Sequence, residues 1–72
     1  MVVLGRARIR LFADDHNPPH FHVVAPDGQA MVAIADLHVL RGRIRKSDLE
    51  TALEWAREHQ QELRDEWHRL NG

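Results

Sequence analysis

Asp14-Asp15-His16-Asn17-Pro18-Pro19-His20-Phe21-His22-Val23 holds three of the chain's six histidines within seven consecutive residues. The adjacent prolines stiffen the approach to His20, because each fixes its own φ. From His20 onward, Phe21, Val23 and Ala25 alternate with His20, His22 and Val24, and that period of two reads as a strand over 20–25. A stiffened loop that runs into a strand presents titratable side chains at set positions, which is the usual setting of a site rather than of a core.

The same period appears upstream. Val3, Gly5, Ala7, Ile9 and Leu11 alternate with Leu4, Arg6, Arg8, Arg10 and Phe12, which predicts one strand over 3–12 with a single buried face. Downstream, Pro26-Asp27-Gly28 is a tight-turn signal, with proline presetting φ and glycine tolerating positive φ. A hairpin into a strand over 29–35 follows, then a turn at Asp36-Leu37 and a shorter strand over 38–45. Ser47-Asp48-Leu49-Glu50 has the form of a capping box. Leu49, Leu53, Ala56, Leu63, Trp67 and Leu70 then fall along one helical face, interrupted by Gln60. The expected fold is therefore α+β. A single domain over 1–72 has a small antiparallel sheet of three to four strands (about 3–12, 20–25, 29–35 and 38–45) packed against one long C-terminal helix, about 47–70.

Lengths raise a difficulty for that arrangement. A helix over 47–70 spans roughly 36 Å, whereas four strands side by side cover about 19 Å at ~4.8 Å spacing. The helix overhangs its sheet. Either it breaks near His59-Gln60-Gln61, or it crosses diagonally with a frayed end, or Trp67 and Leu70 dock on a second copy or a protein partner, since a large apolar ring is rarely left in water.

Composition narrows the classes. Seventy-two residues make one small domain that buries about 60% of its unfolded surface. Cysteine is absent, which excludes disulfides and thiolate metal sites. No apolar run is long enough to span a membrane, and the start Met1-Val2-Val3-Leu4-Gly5-Arg6 lacks the pattern of a signal peptide, so a cytoplasmic protein is expected. The net charge of −1 hides a split. Residues 1–46 hold seven Arg/Lys against four Asp/Glu, and residues 47–72 hold three against seven, so the two parts stand near +3 and −4.

If Ala7, Ile9, Leu11, Phe21 and Val23 pack under the helix, the opposite sheet face carries Arg6, Arg8, Arg10, His20 and His22, extended by Arg41, Arg43 and Arg45. Guanidinium forks match phosphate geometry. The face reads either as an ordinary solvated surface balanced by acids, as a site for RNA, or as a site for an acidic protein. His20 and His22 share a strand face with Cα atoms about 6.6 Å apart, close enough to converge on a divalent metal with His16, Asp14 or Asp15. The extended Pro18-Pro19 segment holds His16 up to ~12 Å from His20. The same pair could act as acid and base on a phosphodiester, with arginines holding its charge, or could be hydrogen-bonded to fix the loop. His38, His59 and His68 read as scattered surface residues. No phosphate loop, dinucleotide fingerprint, zinc-protease helix or serine elbow is present. Tyrosine is absent and Phe12 and Phe21 are the only phenylalanines, so the stacking platform of single-strand RNA binders is not expected.

Asp15-His16-x-Pro-Pro-His20-Phe21-His22-Val23, Leu40-x-Gly42-x-Ile44, and Leu53-x-Trp55 with His59, Glu62-Leu63 and Trp67 together resemble a family of small bacterial proteins, domain of unknown function 4160. The resemblance runs from about Ile9 to Trp67. Relatives often carry a proline where this chain has Arg45-Lys46-Ser47. The resemblance implies a compact α+β domain and membership of two-gene cassettes of toxin–antitoxin type. The expected function is then the toxin-like component of such a pair, meeting a small operon-neighbour protein or RNA through the Arg/His surface. His20 and His22 are the candidate catalytic residues, and Trp67 and Leu70 the candidate self-association or partner contact. The alternative is a non-catalytic module holding a divalent metal through His16, His20, His22 and Asp15, or a structural interaction module.

Overall fold

Gly5, at φ +62°, turns the first alternating run back on itself. β1 (Val2–Leu4) and β2 (Ala7–Arg10) pair antiparallel, with Val2 opposite Ile9 and Leu4 opposite Ala7. The strand expected over 3–12 is thus a hairpin. Its turn was hidden because Val2, Val3 and Leu4 are all apolar, so the phase change across Gly5-Arg6 leaves no mark in the pattern. Val2 and Leu4 pack on the core, whereas Val3 stands exposed.

The structure is a computed structural model that describes residues 1–14 and 16–72. β3 (His20–Ala25) has the bounds read from the sequence, and β4 (Gly28–Ala33) and β5 (Val39–Arg43) follow. Among the described residues the sheet is a five-stranded antiparallel meander in the order β1-β2-β3-β4-β5, rather than three to four strands. The α+β class holds, with a second correction in the helical layer. Two helices, α1 (Lys46–Glu58) and α2 (Gln60–Asn71), replace the single helix over 47–70.

The break falls at His59 (φ −130°, ψ 24°). His59 Nδ1 donates to the Trp55 carbonyl at 2.7 Å, and its ring stacks on Trp55 at 4.1 Å and 7°. Gln60 Nε2 donates to the carbonyls of Ile34 at 2.8 Å and Ala35 at 3.2 Å. The residue that interrupts the apolar face is therefore the one that ties the bend to the end of β4. Helices of 13 and 12 residues each span about 18–20 Å, which fits within the roughly 24 Å that five strands cover at ~4.8 Å spacing. The overhang is resolved within the chain.

Ile9, Phe21, Val23 and Val32 from the sheet, with Ile34 just past β4, meet Ala52, Ala56, Leu63 and Trp67 from the helices. Ala52 and Ala56 have no bulk to hold α1 off the sheet. Trp67, expected as a partner contact, is 4% exposed and belongs to this core; Leu70 is half-buried. The capping box is also not formed. α1 begins one residue early, its first turn has no side-chain cap, and the Ser47 carbonyl accepts a bond from Thr51 Oγ1 at 2.9 Å. No helix among the described residues is long and apolar enough to cross a membrane.

Replacing Gln60 by Leu should extend the apolar stripe yet lower stability by about 1–3 kcal/mol, since two carbonyls at the bend lose their donor. Urea denaturation checks this, and an unchanged or raised midpoint would show that the bend does not depend on Gln60.

Candidate functional site

The ladder registers assign the outer sheet face residue by residue. Arg10 pairs with His22, His22 with Met31, and Met31 with Arg41. In the neighbouring row Arg8 pairs with Val24, Val24 with Gln29, and Gln29 with Arg43. Arginines thus stand at the four corners of a patch, about 14 Å across the strands and about 7 Å along them. Its middle holds His22, Met31, Val24 and Gln29, with apolar, amide and imidazole groups side by side. A shallow concavity of about 230 Å³ lies there, lined by His22, Gln29, Ala30, Met31, Arg41 and Gly42. Gly42 shapes its floor. At φ +97°, with the Gln29 carbonyl 2.5 Å from where a Cβ would sit, no other residue fits without displacing β4 from β5. Among the described residues none of the four corner arginines forms an ion pair with a carboxylate.

Arg6 and Arg45, expected on the same face, belong elsewhere. Arg6 lies in the β1–β2 turn and donates to Asp27 Oδ1 at 2.7 Å, while its Nε stands 3.0 Å from Asp48 Oδ2, a charge contact rather than an aligned hydrogen bond. Arg45 reaches Asp27 Oδ2 at 3.3 Å. Asp48 is only 7% exposed, and the Arg6 guanidinium faces it there. These four side chains fasten the first turn, the β3–β4 turn and the start of α1 into one end of the molecule. Desolvation raises the Asp27 carboxyl, but the hydrogen bond and charge of Arg6 with the charge of Arg45 outweigh it and hold the group below its ordinary value.

The histidines divide. His20 is 2% exposed, its Nδ1 donating to the Pro18 carbonyl at 2.7 Å. His22 is half-buried on the patch, and His16 is exposed. The His20 ring lies 5.1 Å from Trp67, 5.2 Å from His22 and 6.4 Å from His16. The prolines therefore do not hold His16 away; the Asn17–Pro18 bond is cis. His16, Asn17, Pro18, His20, Met31, Leu40 and Arg41 line a second hollow that adjoins the first through Met31 and Arg41. Among the described residues no group of three or more His, Asp or Glu side chains is placed to hold a metal ion; Asp15, the remaining ligand in that reading, lies outside them. His38 pairs with Asp36 at the surface, and His59 serves the helix bend.

Phe12 is the residue that sequence reasoning passed over. It is 42% exposed, meets the edge of His22 at 4.8 Å and 71°, and has the Arg10 guanidinium 5.7 Å from its ring centroid. The signal was its parity with Arg8 and Arg10.

A family model described as Domain of unknown function (DUF4160) matches residues 7–68. No curated protein and no solved structure matches the chain.

Because the folded Asp27 carboxyl titrates below its ordinary value of 3.8, its contribution is complete above that value and disappears as pH falls through the lower folded one. Asp27→Asn should therefore be less stable than wild type at neutral pH, with the gap closing as solutions are acidified below about 3.8. Thermal melts at stepped pH measure the gap, and one that stays constant would remove Asp27 as the charged hub.

Proposed function

The chain belongs to the DUF4160 family, a domain of unknown function, and on that premise we propose that it binds single-stranded RNA through the outer face of its sheet. The observation that carries this reading is the four-arginine patch: Arg8, Arg10, Arg41 and Arg43 frame a mixed apolar and hydrogen-bonding centre, with no carboxylate among the strand residues of that face. Unpaired guanidinium groups favour phosphate oxygens. An acidic protein would satisfy the arginines as well, but it makes little use of a centre built from His22, Met31, Val24 and Gln29. Nucleobases have an apolar face and a hydrogen-bonding edge, and that centre offers contacts to both.

In this reading the chain is the toxin-like member of the two-gene pair implied by the family resemblance. RNA capture is its activity on the target side, and the patch is the surface that the small neighbour-encoded protein would cover. Of the two candidate acid–base histidines, His22 faces the RNA. His20, buried behind it, positions the His22 ring.

Fluorescence anisotropy with a labelled short RNA tests the proposal. Affinity should fall with salt at about −0.7 in log–log slope per phosphate neutralised, so that four arginines give a slope near −3. Arg8→Ala/Arg10→Ala/Arg41→Ala/Arg43→Ala should abolish binding and leave the melting temperature close to wild type, because among the described residues none of the four is paired with a carboxylate. Wild-type protein that ignores RNA, or a quadruple variant that binds it as well as wild type does, would overturn the reading. Capture of an acidic protein in place of RNA would transfer the patch to that partner.

A further inference from the structure

Phe12 is a large aromatic side chain standing in solvent at one corner of the arginine patch, and it is held there from several sides. Its carbonyl accepts a hydrogen bond from Asn71 Nδ2 at 3.2 Å, and the same nitrogen donates to the Trp67 carbonyl at 3.1 Å, so the end of α2 anchors the segment just past β2. On the patch side the ring meets His22 edge-on, with the Arg10 guanidinium 5.7 Å from its centroid. The contacts continue inward. Phe12, His22, His20 and Trp67 follow one another at centroid separations of 4.8, 5.2 and 5.1 Å, a run of rings from the surface to the core. Phe12 ends that run 42% exposed. A ring whose backbone is anchored and which already carries contacts on its edge and one face has less side-chain freedom to lose when a flat partner is laid on it, and stacking on aromatic and guanidinium planes is how unstacked bases are held.

We propose that Phe12, met edge-on by His22 and with the Arg10 guanidinium over one face of its ring, is a base-stacking subsite that takes one unpaired nucleobase of the RNA, while the arginine corners hold the adjoining phosphates. The subsite is a single ring, short of the multi-aromatic platform that the composition does not provide. The inference rests on the RNA-binding reading above and deepens it. The patch supplies charge attraction to any polyanion, and Phe12 supplies the preference for a strand that carries bases. Stacking is tolerant of base identity, so the subsite distinguishes base from no base rather than one base from another.

The test uses the whole chain, an oligouridylate and an abasic ribose-phosphate strand of equal length. Wild type should bind the oligouridylate more tightly than the abasic strand. Phe12→Ala should weaken oligouridylate binding by about 5- to 150-fold, the range for loss of one stacked base, without changing the salt slope or the affinity for the abasic strand. Phe12→Trp should keep the affinity for oligouridylate. Phe12→Leu, which preserves the aliphatic packing if the alanine variant melts early, should lose the preference for bases as alanine does. Equal binding of both strands by wild type, or Phe12→Leu with undiminished preference for the oligouridylate, would overturn the subsite and leave the arginine reading intact. Wild type that binds neither strand would instead bring down the RNA reading itself, and the subsite with it.

Discussion

The register in which Ile9 lies opposite Val23 and Arg10 opposite His22 is the constraint on which the remaining structure depends. Side chains alternate across a strand, so a slip of one residue between β2 and β3 would drive Arg8 and Arg10 into the space now filled by Ala7 and Ile9. The cost of burying unpaired guanidinium groups forbids that slip. The same pairing sets β4 through Phe21 opposite Val32 and His22 opposite Met31, and then β5 through Met31 opposite Arg41. Core and patch are two sides of one choice. Each residue that commits its strand to the helical layer also turns a neighbour outward.

Polar groups complete what the register begins. At one end Asp27 and Asp48 draw Arg6 and Arg45 out of the outer face and bind the two turns to the start of α1. At the other end Gln60 couples the helix bend to the carbonyls of Ile34 and Ala35, just past β4. Of the six arginines that alternation grouped together, the fold uses two as fasteners and leaves four facing outward. The selection follows from distance to acid, and that is why the outer patch is uniformly basic in a chain of net charge −1.

Much of this architecture could be read from residue types. The inner faces of β2 and β3 showed as alternation, the β3–β4 hairpin as Pro26-Asp27-Gly28, and the helical layer as an amphipathic stripe. The first turn could not be seen, because Val2, Val3 and Leu4 are apolar on both parities. The helix break showed only as a mismatch in length and a glutamine in the wrong place. For the site, Arg8, Arg10, Arg41, Arg43 and His22 were placed together in advance. Alternation puts Arg6 and Arg45 on the outer sheet face and the helix overhang puts Trp67 in a partner contact, whereas the fold draws the arginines to Asp27 and Asp48 and buries Trp67; the prolines predict a longer His16–His20 separation than the structure has. The arginines and Trp67 each have a partner distant in sequence, Asp27 and Asp48 for the arginines and His20 and the sheet for Trp67, whereas the approach of His16 to His20 is decided by the backbone of the short loop between them.

Local chemistry in the chain dictated the α+β class, the parity of the strands, the hairpin turn and the basic character of the sheet, because alternation, turn residues and helical periodicity act between near neighbours. Tertiary structure alone decided which arginines are neutralised, that Trp67 lies in the core, that His20 is buried while His22 reaches the surface, and that the end of α2 anchors the Phe12 segment. Those outcomes depend on groups brought together from distant parts of the sequence, such as the Phe12 carbonyl with the Asn71 side chain and Arg6 with Asp48. No spacing along the chain encodes such meetings, since they follow only once the register and the helix bend have fixed where each element ends.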